Sequence, residues 1–162
     1  MSLRKIKKAY AKCVVELDRN SFSHYCNVYD IIIIDLASIV YGLKNPKEFL
    51  LNLALARDYV KSRFIIVLDY LEEKHKVVSN RYIKLLEHLH LEYILSENES
   101  AELKAARMCR EFEGKGFKCI VLSRDYDVLQ IIDKMLQPIK VSEKSWIVRR
   151  VGIDRECVNT YL

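Results

Sequence analysis

The sequence predicts an α/β fold, a mainly parallel central sheet layered between helices on both faces. Three features point there. Residues 29–35, 64–69 and 118–122 are short apolar runs, and a strand covered on both faces reads as a continuous hydrophobic stretch rather than an alternation. Segments of helical period separate them, so the order runs β-α-β-α-β-α-β-α, which suits crossovers in a parallel sheet. The 162 residues include only two prolines and four glycines, with no repeat or low-complexity linker, as expected of one domain around one core.

The elements follow in order. Over residues 3–17, Ile6, Tyr10, Val14 and Leu17 line one side of a helix while Arg4, Lys5, Lys7, Lys8 and Lys12 crowd the other. Such a face can touch phosphates, although a solvated helix face is the commoner role. Residues 18–27 read as loop, so 1–28 form a basic helix and loop ahead of the main body, 29–162, in a single domain overall. Strand one, 29–35, leads to a short helix or turn over 36–43, with Gly42 and Pro46 as punctuation. A helix over 47–61 carries Phe49, Leu50, Leu53, Ala54 and Tyr59 as its apolar positions. Strand two, 64–69, precedes a charged segment, 72–81, a helix with Ile83, Leu85, Leu86 and Leu89, and a short strand at 91–95. A helix over 98–113 closes at Gly114 and Gly116. Strand three, 118–122, is followed by a helix over 126–136 and by short strands at 138–141 and 145–149, where Trp146 and Ile147 pack on the core. Asp154 caps a last helix.

About half the residues are hydrophobic and 30% are charged, the balance of a globular domain. The net charge is +5. If acids gather in one pocket, the remaining surface is more basic than that total, which favours a polyanionic partner. Cys13, Cys26, Cys109, Cys119 and Cys157 are odd in number and lack the close pairing of a zinc site, so they read as reduced thiols in an intracellular protein. The basic start is not followed by a signal-peptide apolar stretch, and no run approaches membrane-crossing length, so no membrane partner is expected. His88 and His90 are too close along a helix to share a metal. A glycine-rich phosphate loop and a nucleophile elbow are both missing.

The acids carry the chemistry. Strands one and two end in Asp35 and Asp69, and strand three runs through Ser123 into Asp125 and Asp127. Carboxylates just past strand C-termini sit in the crevice where open α/β sheets bind ligands. Helix capping would explain any one of them. Three strands of one small domain each leading to Asp point to a shared acidic pocket. Glu99 and Glu102, three apart at the head of the next helix, share a face that can join it. Such a pocket makes physical sense as a metal site, since unscreened carboxylates repel and take up protons.

Four stretches resemble motifs of one family when read together. They are Ile34-Asp-Leu-Ala-Ser38, Val67-Leu-Asp69, Glu99-Ser-Ala-Glu102 with Ala105, and Ser123-Arg-Asp-Tyr-Asp-Val-Leu-Gln130. In order and spacing they resemble the 5′-nuclease (flap endonuclease-like) branch of the PIN-like nucleases, especially bacterial and phage 5′-3′ exonucleases. The resemblance implies a three-layer PIN-like domain over 29–162 that hydrolyses phosphodiesters, in DNA rather than RNA, with two Mg²⁺ or Mn²⁺ ions. It implies Asp35, Glu102 and Asp125 as core ligands, with Asp69, Glu99 and Asp127 completing a second ion or its water shell; Asp35, Glu102, Asp125 and Asp127 would carry catalysis. It further implies nucleic-acid contacts from Lys74, Lys76, Arg81 and Tyr82, a basic, tyrosine-containing stretch. Arg149 and Arg150 are added as cations at an exposed strand end that can meet backbone phosphate.

The departures are specific. Leu36 stands where the family has Gly, Ala101 where it has a further carboxylate, and the segment before Glu99 is short for a helical arch. The chain stops at Leu162 before a Gly-Asp-x-x-Asp-Asn motif and a helix-hairpin-helix, so it is expected to be a fragment or naturally small, with a partner protein supplying missing C-terminal elements. Two other readings follow, a PIN-like ribonuclease and a catalytically weak nucleic-acid-binding or scaffold domain of a larger assembly.

Overall fold

The structure is a computed structural model that describes residues 2–41, 43–141 and 146–162. Gly42, an expected turn marker, and Ser145, the expected start of the last strand, lie outside the described residues. The helices are α1 (Leu3–Lys12), α2 (Phe22–Tyr25), α3 (Leu36–Val40), α4 (Pro46–Ala56), α5 (Glu73–His88), α6 (Ala101–Gly114) and α7 (Arg155–Tyr161). The strands are β1 (Val14–Ser21), β2 (Ile31–Asp35), β3 (Arg63–Asp69), β4 (Glu92–Ser96), β5 (Cys119–Leu122), β6 (Lys134–Val141) and β7 (Trp146–Ile153). Among the described residues a 3-10 turn spans Tyr126–Gln130.

The described strands form one seven-stranded sheet in the order β1-β7-β6-β5-β2-β3-β4. The pairs β6–β5, β5–β2, β2–β3 and β3–β4 are parallel, while β7 runs antiparallel to both β6 and β1. The sheet is therefore mostly parallel with an antiparallel edge. Every residue of β2 is buried because it lies at the centre with a helix layer on each face. Ile32, Ile34, Phe64, Ile66 and Leu68 pack against α4 and α5 on one side; Ile31, Ile33, Ile65 and Val67 pack against α6 on the other. The chain steps one way from β2 through β3 to β4, then returns to place β5 on the opposite side of β2. That reversal opens a crevice at the carboxyl ends of β2 and β5.

The N-terminal expectation needs correction. The helix ends at Lys12, and Val14 begins a strand rather than a fourth helical turn; residues 18–27, expected as loop, contribute its end and α2. The strand forms because β7 offers an open edge, with Val14 opposite Ile153 and Ser21 opposite Ile147. Two further expectations change. The charged segment 72–81 belongs to α5, whose first turn is fixed by the Glu72 N–H donating to His75 Nδ1 at 3.4 Å. The helix expected over 126–136 is one 3-10 turn, after which Lys134 starts β6. Pro138 is tolerated there because β5 pairs with β6 only at Leu122–Leu136, leaving no ladder bond for a Pro N–H to miss on that side.

Cys13 and Cys157 form a disulfide joining the ends of α1 and α7, with Cα atoms 5.6 Å apart. Only Cys26, Cys109 and Cys119 are free, so reduced thiols no longer support an intracellular location. No helix among the described residues is long and apolar enough to cross a membrane.

Candidate functional site

The crevice holds a cleft of about 600 Å³ lined by Asp35, Asp69, Glu102, Asp125 and Asp127, with Lys7 and Arg124 as its cations. Topology assembles it. Asp35 closes β2 beside Val67, and Asp69 closes β3 beside Ser96, so parallel register puts both at the same sheet edge. Asp125 and Asp127 hang on the turn after β5, and Glu102 sits in the first turn of α6.

A serine relay sets the geometry. Ser123 Oγ donates to Asp35 Oδ2 at 2.8 Å and accepts from the Asp125 N–H at 3.0 Å. Ser38 Oγ lies 3.2 Å from Ser123 Oγ and accepts from the Arg124 N–H at 2.9 Å. Asp125 Oδ1 caps the turn by accepting from the Asp127 N–H at 2.9 Å. The capping role expected of Asp125 is thus real, and its other oxygen stays available for the cleft.

Glu102, Asp125 and Asp127 each present an oxygen, and these oxygens lie within 4.8 Å of one another. Asp35 is 2% exposed, and burial raises its carboxyl to about 6 against the pull of Ser123 and Ser38. Burial likewise raises Glu102 to about 7, with Asp35 and Asp125 adding repulsion. Asp69 Oδ1 is buried without a hydrogen bond. His75 Nδ1 stands 3.5 Å from that atom and accepts from the Glu72 N–H. An orphaned carboxylate oxygen, two carboxyls raised above the usual range, and an all-oxygen donor set fit a hard divalent cation.

Glu99 does not join them. The helix starts at Ala101 after Ser100, so Glu99 precedes it, and its carboxylate pairs with Arg107 at 2.9 Å. The expected nucleic-acid residues also fall outside the cleft lining. Lys74 pairs with Glu72 at 3.5 Å, and Lys76 pairs with Glu73 at 3.3 Å and lies over the Tyr70 ring. Arg81 and Tyr82 line a separate hollow with Pro46 and Lys47, and Tyr82 packs on the core. Arg149 donates to Gln137 Oε1 and Tyr126 Oη, each at 2.7 Å, while Arg150 is held by Asp18 and Tyr29. Trp146 packs as expected, its ring stacked 4.2 Å from Phe49, whereas Ile147, expected to pack beside it, is exposed on the other face of the strand.

Two cleft residues had no sequence signal tying them to the acids. Lys7 Nζ reaches Asp127 Oδ2 at 3.0 Å, and its pKa is raised by that hydrogen bond and charge. Tyr41, 83% exposed, stands on the rim that α3 supplies.

No family model matches the chain, and no curated protein matches it. Among solved structures, it is similar to the crystal structure of the T5 D15 protein co-crystallised with metal ions, at 14% identity and a TM-score of 0.44. The alignment covers 72% of this chain and 56% of that one.

Proposed function

We propose that this chain is a metal-dependent nuclease that hydrolyses phosphodiesters at an unpaired end or flap of DNA with Mg²⁺ or Mn²⁺. One observation carries the reading: carboxylates from three parallel strand ends and one helix start line a single cleft, with two of them titrating near neutrality. Asp35, Glu102 and Asp125 would hold the ion, with Asp69 and Asp127 completing a second ion or its water shell. Glu99, engaged by Arg107, is left out of that set. A bound divalent ion supplies charge that activates water and stabilises the departing oxygen.

The chain's own groups do the rest. Ser123 fixes the Asp35 carboxylate, and the Ser123-Asp125-Asp127 hydrogen bonds hold the turn rigid, so the donors are oriented before substrate arrives. The attacking water passes its proton to solvent or to a free carboxylate oxygen of the cleft as its oxygen bonds to phosphorus. The ester P–O bond then breaks, and the departing alkoxide takes up a proton, giving a phosphomonoester and a hydroxyl. Arg124, exposed and without an ion pair among the described residues, can meet the non-bridging oxygens. Tyr41 offers a ring face on which a base can stack.

The test incubates a labelled flap, a single-stranded DNA and an RNA with Mn²⁺ or with EDTA. Cleavage of the DNAs in Mn²⁺ alone, lost in Asp125→Ala, is expected. Cleavage of RNA only would replace this reading with a ribonuclease. Binding without cleavage, unchanged in Asp125→Ala, would leave a nucleic-acid-binding module and refute the nuclease.

A further inference from the structure

We infer that α1 is the surface that grips the nucleic-acid strand, with Arg4 and Lys8 on successive phosphates and Lys7 leading from that ridge into the carboxylate cleft. The inference rests on the nuclease reading for the identity of the polyanion. Lys7 and Ala11 both line the cleft, four apart on one helix face. Arg4, one turn before Lys7, continues that stripe, and Lys8 stands beside it. The ridge therefore borders the acids instead of facing away from them.

The composition of α1 is hard to explain by helix stability. Arg4, Lys5, Lys7, Lys8 and Lys12 sit in ten residues, and the first acid in the chain is Glu16. Arg4–Lys8 and Lys8–Lys12 are like-charge pairs at four-residue spacing, which destabilise a helix. Arg4 and Lys5 occupy the first turn, where the backbone dipole disfavours cations, and no acid is present there. Among the described residues, Arg4, Lys5 and Lys8 have no ion pair. The helix is nonetheless held firmly, by buried Ala9, by the Cys13–Cys157 disulfide and by Lys7 on Asp127. A solvated face needs no such anchoring.

A strand of phosphates resolves these costs together. It pairs the unmatched cations, relieves their mutual repulsion, and places a cation beside the acids where a phosphate must approach them. The occupant is nucleic acid and not a lipid surface, because the apolar side of α1 (Ala9, Tyr10, Cys13) is already packed against α7 and Ile153. Besides its cations α1 exposes only Leu3 and the small Ala11, too little apolar surface to enter a bilayer.

The test measures anisotropy of a labelled single-stranded oligonucleotide in EDTA across a salt series, so that no turnover intervenes. Arg4→Gln/Lys8→Gln is expected to weaken binding about ten-fold at low salt and to make the salt slope shallower by about 1.4, at roughly 0.7 per phosphate contact. Arg4→Lys/Lys8→Arg should restore both, which excludes loss of a merely structural residue. Hydrolysis of bis(p-nitrophenyl) phosphate by wild type in Mn²⁺ reads the chemistry of the cleft separately from the grip. If wild type hydrolyses no diester while binding still depends on Arg4 and Lys8, the nuclease reading falls and the grip stands. Unchanged affinity and slope, loss in Lys74→Gln/Lys76→Gln only, or equal affinity for anionic vesicles would each overturn the inference.

Discussion

Neutralising Asp35 should stabilise the metal-free protein, and the gain should depend on pH. The carboxyl is 2% exposed and titrates near 6, against 3.8 for an ordinary aspartate. Because the folded value is the higher, the folded state holds more protons between those values, and stability falls as pH rises through that window. The gap corresponds to about 3 kcal/mol, felt in full well above pH 6 and shrinking to less than about 1 kcal/mol near pH 4. Asp35→Asn keeps the shape and an acceptor for Ser123 Oγ while removing the charge. Urea unfolding in EDTA would give the stability of variant minus wild type at each pH. That difference should rise by about 2–3 kcal/mol between pH 4 and pH 8, whatever constant offset the amide introduces. Glu102 is more solvated, so the corresponding Gln variant should show the same sign and a smaller amplitude. Saturating Mn²⁺ should reverse the order, because wild type gains a ligand that the variant holds less well. A difference that is flat across pH, or that falls as pH rises, would refute the picture of Asp35 as a buried, repelled carboxylate.

Other outcomes are open to measurement. A divalent ion at about one hundred times its Kd should stabilise wild type by about 2.7 kcal/mol, a Tm rise of roughly 5–10 °C, and Asp125→Asn should blunt that rise in thermal melts. Ser123→Ala removes the donor that holds the Asp35 pKa down, so it should cost about 1–3 kcal/mol and move the pH midpoint of Mn²⁺ binding upward, read by calorimetry; a midpoint that stays put would refute the relay. Reducing Cys13–Cys157, whose partners are 144 apart in sequence, should lower denaturant stability by about 2–5 kcal/mol, and Cys157→Ser should match it; an unchanged midpoint would mean the bridge does not constrain the unfolded chain.

What the sequence made legible was the part governed by short-range pattern. The centre of a parallel sheet is apolar on both faces, so Ile31–Asp35 and Arg63–Asp69 announce themselves by unbroken hydrophobicity, and their terminal acids mark one edge. The mostly parallel α/β architecture follows from that pattern. What stayed hidden depends on distant partners. Strand β1 is polar along most of its length and is defined by β7, whose Ile153 faces Val14. Lys7 reads as one cation among five until α1 is docked beside Asp127. Glu99 looked like a partner of Glu102 because helical spacing was carried two residues too far; Ser100 ends that logic as the residue before the helix. Ile131 and Ile132 suit a helix or a buried turn equally, and short apolar runs do not distinguish the two.

The place of β1 in the sheet has a consequence for the order in which the molecule is built. Among the described residues β1 pairs only with β7, and α1 is fastened through Cys13 to Cys157. The parallel strands that lead to Asp35, Asp69 and Asp125 are complete once residue 122 is available, and their pairings close spans of 32 (Ile31 to Arg63) and 88 residues (Ile31 to Cys119), against 139 between Val14 and Ile153. Strand β1 must wait for β7, although the ribosome makes it earlier. A nascent chain thus assembles the centre of its sheet, with the crevice of acids, before the β1 edge is fixed. Ribosome-bound chains halted before β7 should protect β2 and β3 from proteolysis while leaving residues 14–21 open to it.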